Sequence, residues 1–372
     1  MSGAPSRVPP PPIPLTVLTG FLGAGKSTLL NRLLRDPALS EAAVIVNEFG
    51  EIGLDHLLVE HVEDGVMLLS TGCLCCTMRG DLVNTLEKLL RGLDNGRMNF
   101  NRVIIETTGL ADPAPVLHTA MVHPYFVMRF RLDGVVTVVD AVNGAATLDA
   151  HMEAVKQVAV ADRIVLTKTD LLQSSGAKAA LVSRLAALNP AAPVIEAANA
   201  GVAQLFDCGL YDAERKIPDV KRWLAEEAYA QDNDDHHHHH DVNRHDDRIR
   251  AFTLASDRAI PFSAFEMFLD LVRSMHGPNL LRVKGIVKLA EHADRPVVIH
   301  GVQHVFHPPA TLAAWPDADH RTRLVFIVNG IEERVIKDLF NAFLGIAQAD
   351  RPDRAALMDS PLTPFGGADH LR

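Results

Sequence analysis

Three short stretches of the chain carry residue types at spacings that can do phosphate chemistry. The first reads Gly20-Phe21-Leu22-Gly23-Ala24-Gly25-Lys26-Ser27-Thr28 and fits G-x-x-x-x-G-K-[ST]. Its glycines let backbone N–H groups turn inward around an anion, and a helix starting at its end adds a partial positive charge. Lys26 is spaced to reach terminal phosphates and the Ser27 hydroxyl to ligate Mg²⁺. An apolar strand before the run and a helical pattern at Thr28–Arg35 argue against a chance glycine-rich turn. The second stretch, Arg102-Val-Ile-Ile-Glu106-Thr-Thr-Gly109, is an apolar strand ending in a carboxylate. Beside a phosphate loop, such a carboxylate holds the Mg²⁺ shell, and the Gly109 N–H can sense a γ-phosphate. The third, Arg163-Ile-Val-Leu-Thr167-Lys168-Thr169-Asp170, also ends in a carboxylate. Asp170 can accept paired hydrogen bonds from guanine N1–H and the exocyclic amine, which adenine cannot reproduce.

A different chemistry is written at Cys73-Leu74-Cys75-Cys76, where three of the four cysteines fall within four residues. In a reducing compartment, clustered thiolates are soft ligands for Zn²⁺ and similar ions. A tetrahedral site built on two or three sulfurs needs a further ligand. Glu48, Glu51 and His123 are the candidates. Buried structural thiols and a redox pair are the competing readings; crowding beside Gly72 and Arg79 favours metal. Cys208 stands alone and reads as a small apolar residue. The tract His236–His240 lies among aspartates, where loose imidazoles bind divalent ions weakly and without fixed geometry. His300, His304 and His307 lie on or beside an expected alternating strand and read as surface or packing residues as readily as ligands.

These stretches need a frame to bring them together. Short apolar runs occur at Leu15–Thr19, Ala43–Asn47, Val66–Leu69, Arg102–Glu106, Gly134–Asp140, Arg163–Thr167 and Pro193–Glu196. Most are continuously apolar, which suits parallel strands covered on both faces. Helical patterns such as Leu82–Leu93 fall between them. The expectation is a doubly wound, mainly parallel α/β domain over residues 14–215, after a proline-rich leader at 1–13. Residues 216–247 read as an acidic, His-rich linker: Gln231–Asp247 holds six Asp, one Arg and six of the 18 His. A smaller α+β domain is expected at 248–347, followed by a tail at 348–372. Its expected strands are Ile249–Leu254, Leu281–Leu289, Val297–Phe306 and Arg323–Val328, with helices at Pro261–Met275 and Glu332–Phe343.

Composition narrows the function classes. Lys and Arg number 36 against 46 Asp and Glu, a formal charge of −10 that would repel nucleic acid or an anionic membrane surface. No apolar run reaches the ~20 residues that cross a bilayer. The N-terminus lacks a signal-peptide core, and four cysteines in 372 residues make no disulfide framework. A soluble, cytoplasmic protein is expected.

Taken in order, Gly20–Thr28, Asn47-Glu48-Phe49-Gly50, Cys73–Cys76, Glu106-Thr-Thr-Gly109-Leu-Ala-Asp112-Pro113 and Thr167–Asp170 resemble the CobW-type GTPases, a metallochaperone branch of the phosphate-loop GTPases. Thr167-Lys168-Thr169-Asp170 resembles their Asn-Lys-x-Asp base-reading motif with Thr in place of Asn. The resemblance spans roughly Pro14 to Phe343. It implies GTP as substrate, with Lys26 and Glu106 in hydrolysis. The nucleotide would be held by Gly20, Gly23, Ala24, Gly25, Lys26, Ser27, Thr28, Gly109, Thr167, Lys168 and Asp170, with Mg²⁺ at Ser27. It further implies a transition metal at Cys73, Cys75 and Cys76 with Glu48 or His123, bound in a nucleotide-dependent way and passed to a client metalloprotein. The run Glu106–Pro113 is more similar to the zinc-regulated GTPase activators than to the cobalt chaperone of cobalamin synthesis, so Zn²⁺ comes first and Co²⁺ or Ni²⁺ after it. A cobalt chaperone, a small-molecule phosphate-loop kinase and a passive metal buffer are the alternatives.

Overall fold

The computed structural model describes residues 11–47, 62–63, 66–71, 79–172, 174–206, 248–303, 305–306 and 309–345. The first part of the chain runs β1 (Ile13–Gly20), α1 (Lys26–Leu33), β2 (Ala42–Asn47), β3 (Val62–Glu63), β4 (Val66–Thr71), α2 (Arg79–Asp94) and β5 (Arg102–Glu106). It continues α3 (Ala114–Val122), α4 (Pro124–Arg129), β6 (Phe130–Asp140), α5 (Gly144–Ala150), α6 (Met152–Ala159), β7 (Arg163–Thr167), α7 (Ser175–Leu188), β8 (Val194–Glu196) and α8 (Val202–Leu205). Among the described residues the strands form one eight-stranded sheet in the order β3-β4-β2-β5-β1-β6-β7-β8, in which only β3 runs antiparallel to its neighbour. Every residue of β5 and β7 is buried, as unbroken apolar runs between two helical layers require. In α2 the buried Leu82, Leu86, Leu89 and Leu90 recur at helical spacing and face the core. The central strand β1 lies between β5 and β6, so the loop after it opens at the carboxyl edge where such sheets receive ligands.

Among the boundaries that differ from the sequence reading, two have a physical cause in the sheet. Strand β6 begins at Phe130 rather than Gly134, because the register to β1 slips between Leu15 and Thr16 and leaves Asp133 as an extra residue. Asp133 is wholly buried, yet it accepts from Thr16 Oγ1 at 2.8 Å and Arg102 Nη1 at 2.5 Å, so a charge that looked like a break is paired inside the strand. Strand β1 likewise takes in Ile13 and Pro14, residues expected to stay outside the sheet. There only β6 is its neighbour, and the ladder to β5 starts at Leu15.

The second part runs β9 (Ile249–Ser256), α9 (Phe262–His276), β10 (Leu280–Val287), β11 (Val297–Val302), β12 (Val305–Phe306), β13 (Ala310–Thr311), β14 (Thr322–Asn329) and α10 (Glu333–Phe343). It forms an antiparallel sheet in the order β12-β11-β10-β14-β9, with β13 beside β11. An aromatic core led by Phe265, Phe268, Phe326 and Phe340 joins this sheet to its helices. The expected single strand Val297–Phe306 is two: Gln303 takes a left-handed φ of 53° and folds β12 back on β11, pairing Val302 with Val305.

The second sheet packs on the helices of the first, through contacts of β12 with α3, β10 with α6 and β9 with α7. Ile249, Leu281 and Ile327 join the core built by Leu166, Leu185 and Leu188. A charge network is buried among them. Asp162, 2% exposed, pairs with Arg282 Nη2, lies 3.5 Å from Lys284 Nζ and accepts from the Val135 N–H at 3.0 Å. His300 of β11 is buried beside this network, and desolvation, with help from the Arg282 and Lys284 charges, pushes its pKa down to about 3.

Candidate nucleotide and metal site

The phosphate loop is held in shape by its own backbone before any ligand is considered. Gly23 and Gly25 take left-handed φ values of 70° and 91°, conformations that cost a side chain but not glycine. Gly25 then opens α1, whose Leu29 N–H donates to the Gly25 carbonyl at 2.9 Å. Lys26 is 8% exposed, and its Nζ donates to the carbonyls of Gly20 at 2.8 Å and Phe21 at 3.2 Å. Burial holds the Lys26 ammonium pKa below its ordinary value, and the nearby Glu106 carboxylate opposes the shift.

Glu106 sits at the end of β5, 4% exposed, where Ser27 Oγ donates to its Oε1 at 2.7 Å. A hydroxyl and a carboxylate oxygen brought together this way form a hard donor set that suits Mg²⁺. A cleft of about 380 Å³ is lined by Gly23, Gly25, Lys26, Ser27, Thr28, Glu106 and Gly109, among others. Gly109 closes this cleft tightly, since a Cβ built on it would fall 2.5 Å from the Leu22 backbone nitrogen. The phosphate loop and the Glu106–Gly109 segment, far apart in sequence, are thus two walls of one site.

The third motif braces the loop from the other side. Thr167 Oγ1 lies 2.7 Å from the Ala24 carbonyl and 3.2 Å from that of Val139; its single proton serves the shorter contact. Lys168, at a left-handed φ of 57°, donates to the Gly23 carbonyl at 2.8 Å and to Asp140 Oδ2 at 2.7 Å. Asp170 is exposed in the single turn Thr169–Leu171. The sequence reading placed Asp140 at the end of an apolar strand, as it did Glu106, but gave it no role at the site. It also accepts from the Val142 and Asn143 backbone N–H groups at 2.7 and 3.1 Å. Burial alone would raise its carboxyl pKa, but hydrogen bonds from Lys168 and Asn143 outweigh this and lower it.

Of the expected metal ligands, Cys73, Cys75, Cys76, Glu48 and Glu51 lie outside the described residues, as do Cys208, the His236–His240 tract, His304 and His307. His123 is described, at the junction of α3 and α4, with its ring 4.3 Å from that of Phe126. Its Nδ1 is buried and has no hydrogen-bond partner among the described residues. His123 does not line the phosphate cleft. No cluster of three potential metal ligands occurs among the described residues. The strands leading to the cysteine segment do end beside the cleft: Val46 pairs with Glu106, and Asn47 with Thr71. Among the described residues, no helix is long and apolar enough to cross a membrane.

A parallel sheet with a lysine-bearing loop after its central strand, a strand-end carboxylate against the loop serine and a third segment braced on the loop define a phosphate-loop nucleoside triphosphatase. The chain belongs to the CobW/HypB/UreG family: the CobW/HypB/UreG nucleotide-binding domain matches residues 14–196, and the cobalamin synthesis protein cobW C-terminal domain matches residues 249–344. It is 33% identical over 334 residues to the zinc chaperone YjiA of Escherichia coli K12, covering 88% of this chain and 98% of that one. It is 36% identical over 214 residues to zinc-regulated GTPase metalloprotein activator 1 of Schizosaccharomyces pombe, covering 55% of this chain and 51% of that relative. The crystal structure of the Zn(II)-bound YjiA GTPase from E. coli superposes with a TM-score of 0.68 at 29% identity, over 91% of this chain and 100% of that one.

Proposed function

We propose that the chain is a GTP-hydrolysing zinc chaperone that binds Zn²⁺ in a nucleotide-dependent way and passes it to a client metalloprotein in the cytoplasm. The observation that carries this reading is the convergence of Lys26, Ser27, Glu106 and Gly109 on one cleft whose loop is braced by Thr167 and Lys168. The relatives named as zinc chaperones and zinc-regulated GTPase activators support the cargo. The family matches at 14–196 and 249–344 support a division into a nucleotide domain (14–215), a linker (216–247) and a smaller domain (248–347), with 1–13 as leader and 348–372 as tail.

In this reading Lys26 meets the terminal phosphates and the loop N–H groups cradle them. Ser27 and Glu106 would hold Mg²⁺, which offsets charge on the transferring phosphoryl group when bound. Gly109 presents its N–H to the γ-phosphate, and Asp170 reads guanine. Cys73, Cys75 and Cys76, with Glu48 or His123, hold the zinc cargo. The strand before Glu48 pairs with β5 at Glu106, and the strand before Cys73 pairs with that strand in turn, which supports the reading that γ-phosphate and metal are contacted from one edge of the sheet. By linkage, GTP should tighten zinc binding by the factor with which zinc tightens GTP.

The test is a competition titration of Zn²⁺, Co²⁺ and Ni²⁺ into protein loaded with a non-hydrolysable GTP analogue or with GDP. Tighter zinc binding in the triphosphate form, lost in Cys75→Ser/Cys76→Ser while GTP binding persists, is the expected result. Equal affinity in both forms would reduce the molecule to a metal buffer fused to a GTPase. Phosphate transfer to a second substrate in place of water would make it a kinase.

A further inference from the structure

Gln157, on α6, has no part in the chemistry derived above, yet it is 1% exposed and points its amide at the site's second wall. Its Nε2 donates to the Gly109 carbonyl at 3.1 Å and to the Ala111 carbonyl at 3.0 Å. Two facing acceptors fix which end of the amide is nitrogen, because an oxygen there would meet two carbonyl oxygens. The backbone carbonyl of Gln157 is itself held, accepting from Thr137 Oγ1 of β6 at 2.7 Å. The gripped segment has no slack on its other side, where Gly109 abuts Leu22 too closely for a Cβ. One residue earlier on α6, Lys156 Nζ lies 3.4 Å from Asp112 Oδ2, so neighbouring side chains hold the segment at both ends.

We propose that Gln157 is a positioning residue for recognition of the γ-phosphate. It fixes the carbonyl side of Gly109–Ala111 so that the Gly109 N–H is presented to the phosphate, and it ties that segment to α6. The inference rests on the reading that Gly109 meets the γ-phosphate. Glutamine suits the task because it brings two donors on one neutral atom at the reach needed. Glutamate would set an acceptor against two acceptors, and methionine would fill the space with no donor.

The experiment compares full-length Gln157→Met and Gln157→Glu with the unmutated protein. It reads affinity for GDP and for a non-hydrolysable GTP analogue, together with kcat and KM for GTP. In Gln157→Met, affinity for the analogue should fall about tenfold, as for lost hydrogen bonds to a buried segment. kcat should fall at least as far, while GDP affinity stays within about twofold, with Gln157→Glu worse than Gln157→Met. A plain packing defect would weaken both nucleotides together and would overturn the inference, as would an unchanged ratio of analogue to GDP affinity. Unmutated protein that binds the analogue no better than GDP would instead strike the reading of Gly109, and the inference with it. Hydrogen exchange on the unmutated protein covers variants that fail to fold. Residues 108–112 and 153–159 should gain protection together with the analogue and not with GDP, and protection confined to 108–112 would overturn the inference.

Discussion

Thr167 replaces the asparagine of the Asn-Lys-x-Asp pattern and still braces the phosphate loop, through a hydroxyl 2.7 Å from the Ala24 carbonyl. Thr167→Val keeps the shape and removes the donor. It should cost about 1–3 kcal/mol and weaken nucleotide binding, measurable by urea unfolding and by titration of GTP. Lys26→Ala should abolish hydrolysis outright, because it removes the one cation among the described residues lining the cleft. Phosphate release is the assay. Asp170→Ala should erode the preference for GTP over ATP, and a preserved preference would remove guanine reading from that carboxylate. The phosphate-loop residues were legible because their spacing repeats a chemical need. Gln157 was not, since one amide in an amphipathic helix looks the same whether it faces a segment's carbonyls or a water.

Elements were legible where burial is uniform. Arg102–Glu106 and Arg163–Thr167 matched residue for residue, because each is a short apolar run covered on both faces whose limits are marked by a polar residue at either end. Errors came where a polar or restricted residue is satisfied by a partner distant in sequence. Asp133 hides inside β6 through Thr16 and Arg102, and the β11–β12 fold-back turns on the φ of a glutamine. The Glu106–Gly109 wall yields its own test. Gly109→Ala would force the segment away from Leu22, because the obstacle is backbone rather than a flexible side chain. GTP hydrolysis should fall well over tenfold, the scale of losing a positioned donor to the developing charge, while the fold survives. Single-turnover kinetics would separate this loss from slow product release.

At the scale of the molecule, the join between the two sheets is the part that sequence reading missed, because Asp162 and Arg282 become partners only through tertiary packing. Asp162→Ala leaves Arg282 and Lys284 buried without their anion and should cost about 3–5 kcal/mol in denaturant unfolding. The same network sets an acid limit. The unfolded chain protonates its histidine near the ordinary 6.5, whereas folded His300 resists protonation down to about 3, so stability drains away as pH falls across that window. Asp162, whose carboxyl is held low by Arg282 and Lys284 against its burial, adds a loss as pH falls through the ordinary carboxylate range and below it. His300→Gln should flatten the first slope by up to about 1.4 kcal/mol per pH unit in urea titrations across the window. Deleting Asp232–Asp247 should leave folding and GTP hydrolysis nearly intact.

Contacts between the two parts come from Asp162, Arg282 and Lys284, from Gln303 Nε2 donating to Asp112 Oδ2 at 3.3 Å, and from Ile249, Leu281 and Ile327. None of them requires the peptide chain to be continuous between Phe206 and Arg248. Two polypeptides made separately, one ending and one beginning in that stretch, should therefore find each other in solution and rebuild the whole, as the halves of a split enzyme do. Made alone, each half would show water the mixed apolar and charged face that the other covers, and would aggregate rather than wait.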